Sequence, residues 1–334
     1  MIISQTPEGG GYRIKKLAGD ASLRKYYRVN HGSDSFVLMH TEPFEESSYD
    51  TLLVHNFLER AGVPVPKMLA VEGVKGTILQ EDLGDRTMLH QLAEAQGAEN
   101  FEEIETALFK ESLRLLADFH SSTAKPQGEK PVPGFSLAFD EEKLLWEVDF
   151  TIEHLFGSYL KRGLSEKEQE SIRTPFEDIC RRLAAEPRVF THRDYHSRNL
   201  MLPESGTSHD GKLVCIDFQD ARMGLRAYDL ASILRDSYYQ LSEEKVYALV
   251  DYYFDLAKKE EAGIDRAHFI KMFDLMSVQR NFKAIGSFTS FYGKRNDAMY
   301  IRFVGNTFEN IRRNLAKFPE YKELRKLLFR YYYF

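Results

Sequence analysis

THRDYHSRNLML (191–202) and KLVCIDF (212–218) decide how this 334-residue chain reads. Strand-like RVFTH (188–192) leads into the first stretch. PESGTSHDG (203–211) supplies turn chemistry between LML and KLVCID. Asp194 and Asn199 are five apart on a loop leaving a strand, and Asp217 follows 23 positions after Asp194, at the end of the returning strand. A hairpin brings the ends of its paired strands together, so these three side chains are expected to converge. A carboxylate, an amide and a second carboxylate at such a mouth are what phosphoryl transfer from Mg-ATP requires. One carboxylate orients and deprotonates a hydroxyl. The amide and the other carboxylate hold the metal that neutralises phosphate charge.

Working outward, residues 12–39 read as three strands, YRIKKL, RKYYRV and SFVLM, separated by the turn formers GDAS (19–22) and GSDS (32–35). After Glu45, residues Tyr49, Leu52, Leu53, Phe57 and Leu58 recur at helical spacing until AGVPVP (61–66) stops the helix. KMLAVEG (67–73) and KGTILQEDL (75–83) read as a hairpin of two further strands. Past Gly84 the pattern turns helical, with a long amphipathic helix over roughly 102–120 marked by Leu108, Leu113, Leu116 and Phe119. SSTAKPQGEKPVPG (121–134) is a polar loop, and helices resume over roughly 140–185. From Tyr228 onward helices are expected, with breaks near 262–265, 290–297 and Pro319. The terminal FRYYYF reads as a last helix tucked onto the body. The expected class is α+β, two lobes, with a small β-rich lobe over 1–84 and a larger, mostly helical lobe over 85–334.

Composition narrows the options. Lys and Arg total 45 against 51 Asp and Glu, a net charge of −6, which argues against nucleic acid as a partner. Two cysteines, Cys180 and Cys215, are too few for a disulfide framework and suit a reduced, cytoplasmic compartment. MIISQTPEGG has neither the basic nor the apolar region of a signal peptide, and no apolar run approaches the ~20 residues of a membrane span. No obligate protein partner is inferred. GxxxxGK[ST], GxGxxG after a strand, HExxH and GxSxG are all missing.

HxDxxxxN with a downstream IDF fits the catalytic and metal loops of kinases. Together with LAGDASLRKYYRV (17–29), LQEDLGD (79–85), CIDFQDARMGLRAYDLASILRDSY (215–238) and QRNFKAIGSF (279–288), it resembles the aminoglycoside phosphotransferase and choline kinase superfamily, which has the protein-kinase-like fold. Within it the chain is similar to the branch of anomeric kinases of bacterial cell-wall recycling, which phosphorylate N-acetylmuramate and N-acetylglucosamine at C1. The resemblance covers nearly the whole length.

That resemblance implies a cytoplasmic ATP- and Mg2+-dependent kinase acting on a small amino-sugar acceptor. It makes Asp194 the catalytic base and Asn199 and Asp217 the magnesium ligands. His192 becomes a packed member of the loop, and Asp229 a brace on its backbone. GDAS, with Ser22, becomes the turn over the phosphates, and Gln80, Glu81 and Leu83 the hinge against adenine. Protein kinases carry a lysine on the third strand, but here SFVLMH places Met39 there. Arg24 and Arg28 are the candidates for the missing phosphate partner, with a solvated strand face as the competing reading. Arg280 and Lys283 are cations for an anionic acceptor, or surface salt-bridge formers. Arg198, Gln219, Asp220 and Arg235 flank the motifs and either touch the sugar or structure the loop. Two alternatives stay open. One is a kinase of another small alcohol, such as an aminoglycoside, choline or homoserine, for which an acidic pocket would speak. The other is a nucleotide-binding pseudokinase, motivated by the missing lysine.

Overall fold

The computed structural model describes residues 11–17, 24–126, 131–203, 209, 211–260, 263 and 265–332. The chain opens with β1 (Arg13–Lys16), β2 (Lys25–His31) and β3 (Asp34–His40), then α1 (Asp50–Arg60), β4 (Met68–Glu72) and β5 (Thr77–Glu81). The five strands form one antiparallel sheet in the order β1-β2-β3-β5-β4. Ser22 and the rest of GDAS lie outside the described residues. α1 buries Leu52, Val54, Phe57 and Leu58. It stops where Gly62 takes a φ of +78°, a left-handed value that glycine adopts freely, and Pro64 and Pro66 forbid continuation. A small core of Met39, Leu52 and Ile78 joins the sheet to this helix.

The rest is mainly helical: α2 (Met88–Ala95), α3 (Phe101–Ser122), α4 (Glu141–Ile152), α5 (Glu166–Ala184), α6 (Ala227–Leu234), α7 (Glu243–Glu260), α8 (Arg266–Arg295), α9 (Val304–Leu315) and α10 (Lys322–Tyr332). α4 continues into a π-helical turn over Glu153–Tyr159. The large core runs through this part and reaches Tyr331 near the end of α10. α8 is its axle, packing against α4, α6 and α9. It extends to Arg295 before Asn296 ends it at a φ of +53°, so the expected break near 290 falls at the far end of that window.

Embedded among the helices are β6 (Arg188–Thr191), β7 (Leu200–Met201), β8 (Val214–Cys215) and β9 (Arg222–Leu225). β7 pairs with β8, as the hairpin reading requires, while β6 pairs with β9. The sequence RMGL gives little sign of β9, since glycine weakens a strand. Packing explains the residue: a Cβ on Gly224 would stand 2.8 Å from the Phe139 ring and 3.3 Å from Thr191.

Candidate active site

A cavity of about 710 Å³ opens between the sheet and the helical part. That volume suits a cofactor-sized ligand. On the sheet side Tyr26 of β2 pairs with Met39 of β3, and both line the cavity. Met39, the residue expected in place of a kinase lysine, is 2% exposed. Leu83, Met201 and Val214 form a separate apolar cluster with Ile216, so Leu83, Met201 and Ile216 give the cavity an apolar wall. Gln80 and Glu81 also line it, and the Glu81 carboxylate accepts from the backbone N–H of Lys67 at 3.2 Å.

Asp194, Asn199 and Asp217 come together at the mouth of the β7–β8 pair. Asn199 Nδ2 donates to the backbone oxygen of Asp194 at 3.0 Å and to Asp217 Oδ2 at 3.4 Å. Gln219 Nε2 donates to Asp217 Oδ1 at 2.8 Å. Two non-glycine residues here adopt left-handed backbone, Arg193 at φ +80° and Asp217 at φ +64°. Such conformations cost energy and persist only where the surroundings impose them. Asp229, fully buried on α6, imposes the first. Its Oδ2 accepts from the His192 N–H at 2.7 Å and its Oδ1 from the Arg193 N–H at 2.9 Å. The His192 ring is buried between Phe119 and Tyr195, with no hydrogen-bond partner on either nitrogen among the described residues.

Charge at the centre is lopsided. Arg280 Nη2 stands 3.5 Å from Asp194 Oδ1, and Lys283 Nζ 3.4 Å from the same oxygen. Burial opposes ionisation of Asp194, but Lys283, Arg193 and Arg280 outweigh it and hold the carboxyl well below the usual carboxylate range. Burial lowers the Lys283 ammonium to about 8, against the pull of Asp194. Burial likewise pushes His196 down to about 3.

Other expected site residues are engaged elsewhere. Arg28 lies outside the cavity wall, held by Asp82 (2.6 and 3.0 Å) and Asp85 (2.8 Å). Arg24 does line the wall. Arg235 lines it too, but its guanidinium forms a two-pronged pair with Glu243. Asp220 pairs with Arg193 at 2.9 Å. Arg198 does not line the cavity; its guanidinium lies 4.8 Å from the Tyr238 ring centre and 5.5 Å from that of Tyr300.

Several groups escaped sequence reasoning. Asp236, two residues past the end of α6, accepts from the Ser197 N–H (3.0 Å), the Ser197 hydroxyl (2.5 Å) and the Tyr238 N–H (2.8 Å). Asp229 and Asp236 therefore hold the two ends of the loop carrying Asp194. Glu147 of α4 is fully buried, accepts from Gln279 at 3.1 Å, and acts electrostatically on Arg193, Arg280 and Lys283. His120 of α3 bonds Tyr253 (2.7 Å) and Asp229 (3.2 Å), so two further helices meet behind the loop.

The model of the family described as "Phosphotransferase enzyme family" matches residues 13–267. The N-acetylmuramate/N-acetylglucosamine kinase of Pseudomonas aeruginosa is 32% identical over 93% of this chain and 86% of its own length. The protein of that name from Neisseria meningitidis is 30% identical over 93% of this chain and 88% of its own. Among solved structures, choline kinase from Cryptosporidium parvum superposes with a TM-score of 0.61 at 10% identity, over 95% of this chain and 91% of that one. That last likeness concerns the fold.

Proposed function

This chain belongs to the phosphotransferase enzyme family, and on that premise we propose that it transfers the γ-phosphate of ATP to the C1 hydroxyl of N-acetylmuramate or N-acetylglucosamine. The observation that carries the acceptor reading is the pair Arg280 and Lys283 beside Asp194, both lining the cavity. Of the acids nearby, Asp220 is paired with Arg193, and Asp236 is filled by three hydrogen bonds. Two cations at the end of the cavity beside Asp194 disfavour a polycationic aminoglycoside or choline there and suit a neutral or anionic sugar. This also weighs against the other small-alcohol kinases left open by sequence.

In this reading the nucleotide lies between the lobe of residues 1–84 and the lobe of residues 85–334. Gln80, Glu81 and Leu83 edge the adenine, and Arg24 faces the phosphates. Asp194, kept ionised by its cationic neighbours, accepts the proton of the acceptor hydroxyl as its oxygen attacks phosphorus. Asn199 and Asp217 each carry a hard side-chain oxygen and stand side by side at the cavity wall, a set that fits Mg2+ shared with phosphate oxygens. A metal held there would supply charge neutralisation on the phosphates. Asp229 and Asp236 keep the loop in register for the attack. No described helix is long and apolar enough to cross a membrane.

The test is ATP-dependent phosphorylation of the two sugars, with the product's reducing end assayed. Loss of the free reducing end on turnover supports transfer to C1. A phosphosugar that still reduces places the phosphate elsewhere.

A further inference from the structure

Phosphoryl transfer gathers negative charge on the oxygens of the group in flight, and a cation close to them lowers the barrier. Met39, standing where a lysine was expected, offers none. Most cations around the centre are already held. Arg28 belongs to Asp82 and Asp85, Arg193 to Asp220, and Arg235 to Glu243. Arg280 Nε donates to Ser232 Oγ at 3.0 Å. Lys283 differs. Its side chain is 12% exposed and lines the cavity. Among the described residues its ammonium meets Asp194 alone, at 3.4 Å. Three N–H donors thus have one long contact between them.

Distance decides what else that ammonium can reach. A hydroxyl bound to its base lies about 2.6–3.2 Å from a carboxylate oxygen. The phosphorus it attacks lies about 3–3.5 Å from that hydroxyl. A cation 3.4 Å from the same carboxylate stands within that shell. Resting on the sugar-kinase reading, we propose that Lys283 is a catalytic residue whose ammonium donates to the non-bridging oxygens of the transferring phosphoryl group. In the step, the bond from the acceptor oxygen to phosphorus forms as the bond from phosphorus to the β–γ bridging oxygen breaks. ADP leaves with that electron pair, Asp194 takes the hydroxyl proton, and Lys283 keeps its own protons. A lysine suits the task as a compact point charge on a flexible stem. The competing partner, a lactyl carboxylate, is carried by N-acetylmuramate and not by N-acetylglucosamine, whereas a phosphoryl group passes in every turnover. Placement supports the role as well. α8 packs against α6, and Asp229 of α6 braces the loop that carries Asp194. Cation and base are thereby fixed to one helical frame.

Steady-state kinetics on the full chain test this, with ATP and each sugar, on wild type, Lys283→Met and Lys283→Arg. Methionine keeps the length of the stem and removes the charge. Its kcat should fall by about 10²- to 10³-fold for both sugars alike, as when one transition-state donor is lost. KM for either sugar, and the Kd of ADP, which lacks the transferred group, should stay within about 2-fold. Lys283→Arg restores a charge and should recover at least about 10-fold of the loss. The fall should hold at every pH at which the wild type is fully active. A loss that vanishes as pH rises means that Lys283 only keeps Asp194 ionised, and overturns the proposal. A KM raised for N-acetylmuramate and not for N-acetylglucosamine assigns the ammonium to the acceptor carboxylate and overturns it too, as does a wild-type kcat. Should the methionine variant fail to bind ADP, Lys283→Gln takes its place under the same criteria. Phosphorylation of neither sugar by the wild type overturns the sugar-kinase reading instead. The slow hydrolysis of ATP, with water as acceptor, then still judges the lysine: a rate lowered by the same factor supports it, and an unchanged rate overturns it.

Discussion

Lys283 Nζ stands 3.4 Å from Asp194 Oδ1, so a lysine from the long helix α8 meets the carboxylate of a loop 89 positions earlier in the chain. Each group alters the other. The carboxyl is held ionised, and the ammonium sits at about 8, close to physiological pH. The sign of the pH effect follows. Below about 8 Lys283 carries its charge and supports the carboxylate, and above it that support is lost. We expect kcat/KM for the sugar to fall as pH rises through about 8, and Lys283→Arg to move that limb beyond the range measured, since guanidinium stays protonated. An unchanged limb in the arginine variant would assign the titration to another group.

Replacing Asp194 by asparagine keeps its shape and removes the proton acceptor. Turnover should drop by about 10²- to 10⁴-fold, with ATP affinity and far-UV circular dichroism preserved. Near-normal turnover would mean that another group takes the proton.

Asp217→Ala removes one of the two side chains proposed to hold the metal and also leaves Gln219 without its acceptor. Calorimetric titration should show weakened Mg-ATP binding, and transfer should be lost. Nucleotide without metal should bind nearly as before, because the adenine contacts proposed above are on Gln80, Glu81 and Leu83. Equal weakening for both forms would point to a folding defect.

Asp236→Ala leaves the Ser197 N–H and hydroxyl, both buried, without their acceptor. Unmet buried donors cost about 1–3 kcal/mol each. The expected result is a lower melting temperature together with a fall in kcat that exceeds any change in KM for ATP. A kcat equal to wild type would deny the residue any part in setting the loop.

Gly224→Ala should destabilise by about 1–3 kcal/mol, because the new methyl meets the Phe139 ring at 2.8 Å and the β6–β9 pair cannot part to receive it. Chemical denaturation measures this directly. A stability within error of wild type would show that Phe139 rotates away at no cost.

The arrangement of Asp194, Asn199 and Asp217 was legible because it depends on local spacing across a hairpin, and local spacing is written in the chain. The sheet and α1 were legible for the same reason, from alternating and helical periodicities bounded by Gly and Pro. What stayed hidden depends on contacts between distant segments. β9 exists because Gly224 fits against Phe139, which no window around RMGL reveals. Arg28 looked like Arg24, two turn-proximal cations on one strand, yet Asp82 and Asp85 from beyond β5 claim it. The aromatic lining of the cavity was hidden because Phe288 and Phe291 read simply as the apolar face of a helix, and Tyr238 and Tyr300 come from other segments.

The Arg28 clamp has a mechanical consequence. Its guanidinium fastens β2 to the segment just after β5, and Ser35 of β3 bonds the same Asp82 at 2.5 Å. Two strands of the sheet are thus bolted to the connector that leaves it. Any opening of the cleft is then expected to carry sheet and connector as one piece, with the flexing beyond Asp85. Because Asp85 is largely exposed, that end of the bolt is loosened by added salt while the Asp82 end is shielded. The rate at which product leaves should then respond to ionic strength through the outer contact alone.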